Sequence, residues 1–387
     1  MLRSPIPYGK QEITAADIAA VTAVLSADFL TQGPQIELFE KQLASYCGAK
    51  YAVVVANGTA ALHLVYLALG LKQGQKIATS AITFAATSNA ALYCGAETEF
   101  IDISPGTFML DPHRLAKTLT ADQTIRGVVP VHLAGVPCAL EEIYSMAREK
   151  NLWVVEDACH AIGSKWRDQQ GVLRRVGDCA FSDAAVFSFH PVKQLAAGEG
   201  GAIVTNHSEL YHSLLKLRSH GITKDPRQFS EQHGPWYHEM QILGYNYRIT
   251  DMQCALASSQ LSRLDQAIKK RRLLVDNYHR ALGDHPKIKL QSFNSSDDLS
   301  FHLLLCQAEH RGELFSYLNA KNIFPQVHYI PVYQHPFYRQ RYKLNPSDFP
   351  HAQNYYQQAI SLPLYHSLSV SEQEYVIATI KEFYGEH

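Results

Sequence analysis

This chain of 387 residues lacks a long uninterrupted apolar run. The nearest candidate, residues 51–69, is interrupted by Asn57, Gly58, Thr59 and His63, whereas a membrane-spanning helix needs about 18 or more consecutive apolar residues. The amino-terminal residues also lack the apolar core of a secretory signal. We therefore expect a soluble cytoplasmic protein with no membrane partner.

The sequence also has little net charge and no paired cysteines. Its formal net charge of −1 gives no broad attraction to nucleic acid or to an anionic membrane. The seven cysteines never form a Cys-x-x-Cys pair, so neither a disulfide framework nor a zinc knuckle is predicted. The 19 histidines include no pair with zinc-ligand spacing and a third partner. We expect neither a metal ion nor a nucleic-acid partner.

The chain is long and apolar enough to bury a large core, because 46% of its residues are hydrophobic. From about residue 50 to 220, short β-branched runs alternate with helical patterns, which is typical of a mostly parallel sheet with helices on both faces. The predicted strands are residues 51–55, 76–80, 98–102, 126–132, 152–156, 184–189 and 202–205.

After about residue 250 the pattern changes. One long amphipathic helix is predicted from the spacing of Leu256, Gln260, Leu261, Leu264, Ile268 and Leu273. The segments that follow are shorter and mixed, which indicates a smaller α+β domain. We predict a large domain at residues 16–255 and a small domain at 256–387, with residues 1–15 packed alongside the small one.

Lys193 stands out because of its surroundings. It ends the stretch Phe-Ser-Phe-His-Pro-Val-Lys at 187–193 and precedes Gly-Glu-Gly-Gly at 198–201, while Asp157 ends an earlier apolar strand. A lysine amine forms a Schiff base with the aldehyde of pyridoxal phosphate, and a carboxylate keeps the pyridine nitrogen protonated. The pair predicts this chemistry, and with it transfer of an amino group. The alternatives are a surface lysine beside a loop and an aspartate that caps a helix.

Other polar groups fall at strand ends, where ligands bind in parallel sheets. These are Asn57, Ser80, Asp157 and His190. Asn-Gly-Thr at 57–59 follows a strand and opens a helix, so Gly58 and Thr59 are candidates to hold a phosphate, with Ser188 as a further donor. The alternative is an ordinary capped helix. His160 is placed to contact a phenolic oxygen of the cofactor, and Phe84 to stack on its ring.

Four segments together resemble the DegT/DnrJ/EryC1/StrS family of sugar aminotransferases. They are Asn-Gly-Thr-Ala-Ala-Leu at 57–62, Glu-Asp-Ala-Cys-His-Ala at 156–161, the stretch 187–201 around Lys193, and Gly-Tyr-Asn-Tyr-Arg at 244–248. The resemblance implies the α/β fold of type I pyridoxal phosphate enzymes, as in aspartate aminotransferase. That fold has a mostly parallel seven-stranded central sheet and a smaller α+β C-terminal domain.

The resemblance also implies roles for single residues. Lys193 would be the Schiff-base lysine and general acid/base, Asp157 the partner of the pyridinium, and His160 the contact to the phenolic oxygen. Gly58, Thr59 and Ser188 would hold the phosphate, with Phe84 on the ring. Asn246, together with Arg248, would reach the cofactor of a neighbouring subunit, which implies a homodimer with shared sites. Contacts to a nucleotide sugar would come from Tyr8, Thr31, His328 and Tyr329.

Within this family, the chain resembles the transaminases of pseudaminic acid biosynthesis. This similarity implies ping-pong amination of C4 of UDP-2-acetamido-2,6-dideoxy-β-L-arabino-hexos-4-ulose, a UDP-linked 4-keto-6-deoxy-N-acetylhexosamine, with L-glutamate as donor. The alternatives are a dTDP-, GDP- or D-configured UDP-linked 4-keto sugar as acceptor. Two other functions are alternatives. A sugar dehydrase of this fold is disfavoured because such relatives have histidine where this chain has Lys193, and a non-catalytic sensor is disfavoured because Asp157, Ser188 and Lys193 are all present.

Overall fold

The computed structural model describes residues 4–385. As far as residue 261 its elements are β1 (Ile6–Pro7), α1 (Ala15–Leu25), α2 (Pro34–Cys47), β2 (Tyr51–Val55), α3 (Gly58–Ala68), β3 (Lys76–Ser80), α4 (Ala86–Tyr93), β4 (Glu97–Ile101), α5 (Pro112–Ala121), β5 (Ile125–Val129), α6 (Leu140–Glu149), β6 (Trp153–Asp157), β7 (Lys165–Arg167), β8 (Leu173–Arg175), β9 (Ala184–Ser188), β10 (Gly201–Thr205), α7 (Ser208–Arg218), β11 (Ile222–Thr223), β12 (Glu239–Met240) and α8 (Asp251–Leu261). The later elements are α9 (Leu264–Leu282), β13 (Ile288–Leu290), β14 (Leu304–Ala308), α10 (Arg311–Ala320), β15 (Ile323–Phe324), α11 (Pro336–Tyr342), α12 (Pro350–Gln358), β16 (Ala359–Leu362) and α13 (Val370–Phe383).

Seven strands form the central sheet in the order β2-β10-β9-β6-β5-β3-β4. β10 is antiparallel to both neighbours, and the remaining adjacent pairs run parallel. The predicted fold class is therefore confirmed. Every predicted strand is present, with ends that differ from the prediction by three residues or fewer.

Helices cover both faces of this sheet. Ala52 and Val54 of β2 pack with α2 and α8, whereas Val53 and Val55 pack with α3, α4 and α7. Because alternate side chains of a strand point to opposite faces, a strand covered on both sides reads as a continuous apolar run. Within residues 4–385, no helix combines the length and the apolar character needed to cross a membrane.

The sheet topology brings three chain segments together at one edge. β2, β6 and β9 run in the same direction, so their carboxyl ends lie at the same edge of the sheet. Asn57 follows β2, Asp157 ends β6, and Ser188 ends β9. Residues that are distant in sequence thereby become neighbours.

A second, three-stranded antiparallel sheet (β13-β14-β16) lies in the later part of the chain. β1 pairs with β15 in parallel, which joins the amino-terminal segment to this part. One buried cluster contains Val128 and Val154 of the large sheet together with Leu274 of α9 and Leu304 of β14. The apolar core is thus continuous between the two predicted domains, and the boundary after residue 255 stays a prediction.

The prediction of one long helix from Leu256 to Leu273 is wrong. α8 and α9 are separate helices, and between them the Arg263 backbone has φ −116° and ψ 7°. The guanidinium of Arg263 donates to the Asp17 carboxylate and to the Glu12 carbonyl. These contacts with the amino-terminal segment fix the break, and apolar spacing carries no signal of them.

Arg271 of α9 is fully buried, and among residues 4–385 its side chain is hydrogen-bonded only to backbone carbonyls. Its Nη1 donates to the carbonyl oxygens of Leu364 at 2.9 Å and of Phe301 and His302 at 3.3 Å. Burial lowers the pKa of Arg271 to about 10. These bonds attach α9 to the chain on either side of the small sheet.

Replacing Arg271 with methionine should lower the free energy of unfolding by about 2–4 kcal/mol, because buried carbonyls lose their donor. Urea titration monitored by circular dichroism measures this change. Lys270→Met on the exposed side of α9 is the matched control and should change the free energy by about 0.5 kcal/mol or less. Equal midpoints for the two variants would contradict the role given to Arg271.

Candidate functional site

Lys193 lies in the loop after β9, at the sheet edge where Asp157 ends β6. The loop is closed at its base, because the N–H of Ala197 donates to the Phe189 carbonyl at 2.8 Å, and the Lys193 N–H donates to the His190 carbonyl at 2.9 Å. Burial lowers the pKa of the Lys193 amine to about 8, although Cys159 and Asp157 oppose the shift. The neutral, nucleophilic fraction of this amine near physiological pH is therefore far larger than in an ordinary lysine.

The Asp157 carboxylate is held from two sides. Oδ2 accepts a bond of 2.7 Å from the Thr87 hydroxyl, and Oδ1 accepts one of 3.3 Å from the Cys159 N–H. The Thr83 hydroxyl lies 2.9 Å from that of Thr87. The carboxylate is 5% exposed, so these bonds replace water as its partners.

The start of α3 forms a cradle for an anion. Asn57 caps the helix by accepting from the Ala60 N–H at 2.8 Å. The N–H groups of Gly58 and Thr59, in the first helical turn, have no partner inside the helix. A Cβ at Gly58 would lie 3.0 Å from the Ser188 Cβ, so only glycine leaves this space open. Helix dipole, amides and hydroxyls together suit a phosphate.

His160 uses both ring nitrogens within the protein. Nδ1 accepts from the Ala134 N–H at 3.3 Å, and Nε2 lies 3.0 Å from the Tyr329 hydroxyl. Burial, followed by the charge of Lys193, holds the pKa of His160 well below its usual range. The neutral ring with Nδ1 as acceptor carries its proton on Nε2 and donates to Tyr329.

These elements surround one cavity of about 700 Å³. Ten residues predicted from the sequence line it, namely Tyr8, Gly58, Thr59, Phe84, Asp157, His160, Ser188, Lys193, His328 and Tyr329. The Phe84 ring is 59% exposed and lies 5.8 Å from the Tyr329 ring, so it offers an open aromatic face. Asn57 and His190 also line the cavity.

Four candidates do not line this cavity. Thr31 is bridged to Thr250, and Arg248 donates to the Ser219 hydroxyl at 3.2 Å. Asn246 lies on the surface beside the same serine. Ser80 was expected at the site from its strand end, but its side chain turns inward and accepts from the Ile82 N–H.

Sequence reasoning missed Thr87 and His302. Thr87 is the second residue of α4 and follows Phe84 by three residues, but no motif marks it as a partner of Asp157. His302 lines the cavity with its ring 4.6 Å from that of His160, and burial, followed by Lys193, holds its pKa well below the usual range. It comes from a strand-like apolar run in the later part of the chain, where no motif marks it.

Comparison with known proteins places this geometry in a family. The model of the DegT/DnrJ/EryC1/StrS aminotransferase family matches residues 11–381. The spore coat polysaccharide biosynthesis protein SpsC of Bacillus subtilis (strain 168) is 35% identical over 384 residues, which cover 97% of this chain and 96% of that protein. The UDP-4-amino-4,6-dideoxy-N-acetyl-beta-L-altrosamine transaminase of Campylobacter jejuni (serotype O:23/36) is 36% identical with the same coverage.

A solved structure shares the fold over its whole length. Helicobacter pylori PseC, an aminotransferase involved in the biosynthesis of pseudoaminic acid, has a TM-score of 0.91 and 28% identity to this chain. The match covers 99% of this chain and 100% of that one.

The lowered pKa of Lys193 predicts how the reaction of its amine with an electrophile depends on pH. In protein freed of ligand, carbamylation of Lys193 by cyanate should rise with pH and be half-maximal at about pH 8, because only the neutral amine reacts. Peptide mapping by mass spectrometry measures each lysine separately. Lys76 is the internal control, since its hydrogen bonds to Asp122 and Glu99 outweigh burial and raise its pKa. A Lys193 profile that follows Lys76 would contradict the assignment.

Proposed function

The chain belongs to the DegT/DnrJ/EryC1/StrS aminotransferase family, and we propose that it aminates C4 of UDP-2-acetamido-2,6-dideoxy-β-L-arabino-hexos-4-ulose with L-glutamate as donor. It is a sugar aminotransferase of the EC 2.6.1 class that uses pyridoxal phosphate, which confirms the predicted family, enzyme class and cofactor. The names of the Campylobacter and Helicobacter proteins support the finer proposal. The observation that carries the amino-transfer chemistry is a partly buried, partly neutral Lys193 in the cavity that Asp157 also lines.

The residues of the cavity fit this cofactor. The open start of α3 at Gly58 and Thr59, with Ser188 opposite, would hold the phosphate. Asp157 would pair with the ring nitrogen, and the exposed face of Phe84 would pack on the ring. When bound, pyridoxal phosphate supplies an aldehyde that exchanges amino groups and a ring that withdraws electrons.

Lys193 would move a proton as well as bind the cofactor. With a pKa of about 8, its Nζ can take a proton from the Cα of glutamate and return one at C4 of the sugar. The hydroxyl of Thr87 holds the orientation of the Asp157 carboxylate, which would face the ring nitrogen of the cofactor. His160 is neutral. Its Nε2–H, which lies beside the Tyr329 hydroxyl, would contact the phenolic oxygen of the cofactor.

The sugar would enter where Tyr8, His328 and Tyr329 line the cavity. The Tyr8 and His328 rings lie 5.1 Å apart, and His328 Nδ1 is 2.8 Å from the Ser361 hydroxyl, which fixes the ring. Thr31 lies outside the cavity of its own chain, as do Asn246 and Arg248. We propose that these three face the site of a second subunit in a homodimer with shared active sites, in the cytoplasm.

A second acceptor is supported by one comparison. The Bacillus relative carries the name of a spore coat polysaccharide biosynthesis protein at 35% identity, close to the 36% of the Campylobacter transaminase. An amino sugar other than the altrosamine product therefore has comparable support. The remaining candidates are dTDP-, GDP- and D-configured UDP-linked 4-keto sugars.

A substrate panel separates these acceptors. Purified enzyme is incubated with L-glutamate and each 4-keto sugar, and products are identified by mass and NMR. The UDP-β-L-arabino-hexos-4-ulose should be converted with the highest kcat/KM. Lys193→Ala should abolish turnover and the visible absorbance of the loaded enzyme, whereas Lys117→Ala on the exposed side of α5 should retain both. Preferential amination of a dTDP or GDP sugar would overturn the proposed acceptor.

A further inference from the structure

His63 lies in α3, one helical turn after Thr59, so the two side chains share a face of the helix that begins at the phosphate cradle. The His63 ring is 3% exposed and is surrounded by the rings of Tyr93, Tyr245 and Tyr247 at 5.5, 4.8 and 5.9 Å. Its Nδ1 lies 3.2 Å from the Tyr247 hydroxyl. Burial lowers the pKa of His63, so the ring is neutral in this cage.

The segment that supplies two of these tyrosines is attached to the same region by its backbone. The Tyr247 carbonyl accepts from the Ala56 N–H at 2.8 Å, directly before the cradle. The Tyr245 N–H donates to the Leu217 carbonyl at 2.7 Å, at the end of α7. The two tyrosine rings stack at 5.1 Å with an interplanar angle of 22°. The segment is therefore fixed at both ends.

Asn246 lies between the two stacked tyrosines. In an extended segment successive side chains point in opposite directions, so the tyrosines that face His63 turn Asn246 away from the helix. Asn246 is exposed, and its side-chain amide makes no hydrogen bond within residues 4–385. A rigid support for an unpartnered polar group reduces the entropy lost when that group binds a ligand.

We propose that Tyr247, held by His63, is a positioning residue that fixes Asn246 for the cofactor site of a second copy of this chain. The inference rests on the proposed shared-site dimer and adds how the residue given to the partner is oriented. The same helix then carries the phosphate cradle of one site and the support of the residue offered to the other.

Hybrid dimers with one working site test this proposal. Two tags on co-expressed chains allow purification of dimers in which one chain carries Lys193→Ala, so only the other chain forms the visible absorbance on titration with pyridoxal phosphate. Tyr247→Phe, which removes only the hydroxyl, is placed either on the working chain or on the Lys193→Ala chain. Tyr245→Phe is the matched control, because the Tyr245 hydroxyl makes no hydrogen bond in the described residues.

Tyr247→Phe on the Lys193→Ala chain should raise the dissociation constant of pyridoxal phosphate about 3- to 10-fold at the working site, as expected for one neutral hydrogen bond. Placed on the working chain it should have little effect, and Tyr245→Phe should have none in either position. An equal effect from both placements, or none from either, would overturn the inference.

Asn246→Ala in the same two placements separates this inference from the proposed dimer. If Asn246→Ala on the Lys193→Ala chain weakens cofactor binding while Tyr247→Phe does not, the shared site stands and the role of Tyr247 is wrong. If Asn246→Ala has no effect on that chain, or sedimentation shows only monomers, the shared-site dimer itself is wrong, and this inference fails with it.

Discussion

The site depends on a partly buried lysine amine in the cavity that the Asp157 carboxylate also lines. A shift in the Lys193 pKa to about 8 corresponds to roughly 3 kcal/mol in favour of the neutral amine. An unfolded lysine holds its proton up to about pH 10. The lowered pKa therefore destabilises the folded state. The whole of this cost is present below about pH 8, and it disappears as the pH rises toward 10. The chain gives up stability for reactivity at this position.

The architecture explains how such a site is built. β2, β6 and β9 point their carboxyl ends to one edge, and they lead to different parts of the site: the start of α3, the Asp157 carboxylate and the loop with Lys193. The opposite wall comes from the later part of the chain, where His302, His328 and Tyr329 approach the same cavity. Burial, followed by the charge of Lys193, lowers the pKa of His302 and His328 as well as that of His160, so three neutral imidazoles line the cavity of the lysine.

Much of the fold was predictable because apolar runs and turn residues are local signals. The strands of the central sheet follow from such runs, and motifs at strand ends indicate the residues that line the cavity. The break between α8 and α9 was not predictable, because it depends on contacts of Arg263 with Asp17 from the other end of the chain. Thr87 and His302 were missed for the same reason: only the folded chain brings them to Asp157 and His160.

A crystal structure of the protein soaked with pyridoxal phosphate tests the central claim most directly. Electron density should run continuously from Nζ of Lys193 into the cofactor, with an Asp157 oxygen within hydrogen-bond distance of the ring nitrogen and the phosphate at Gly58 and Thr59. A cofactor bound elsewhere, or one joined to a lysine other than Lys193, would contradict the account.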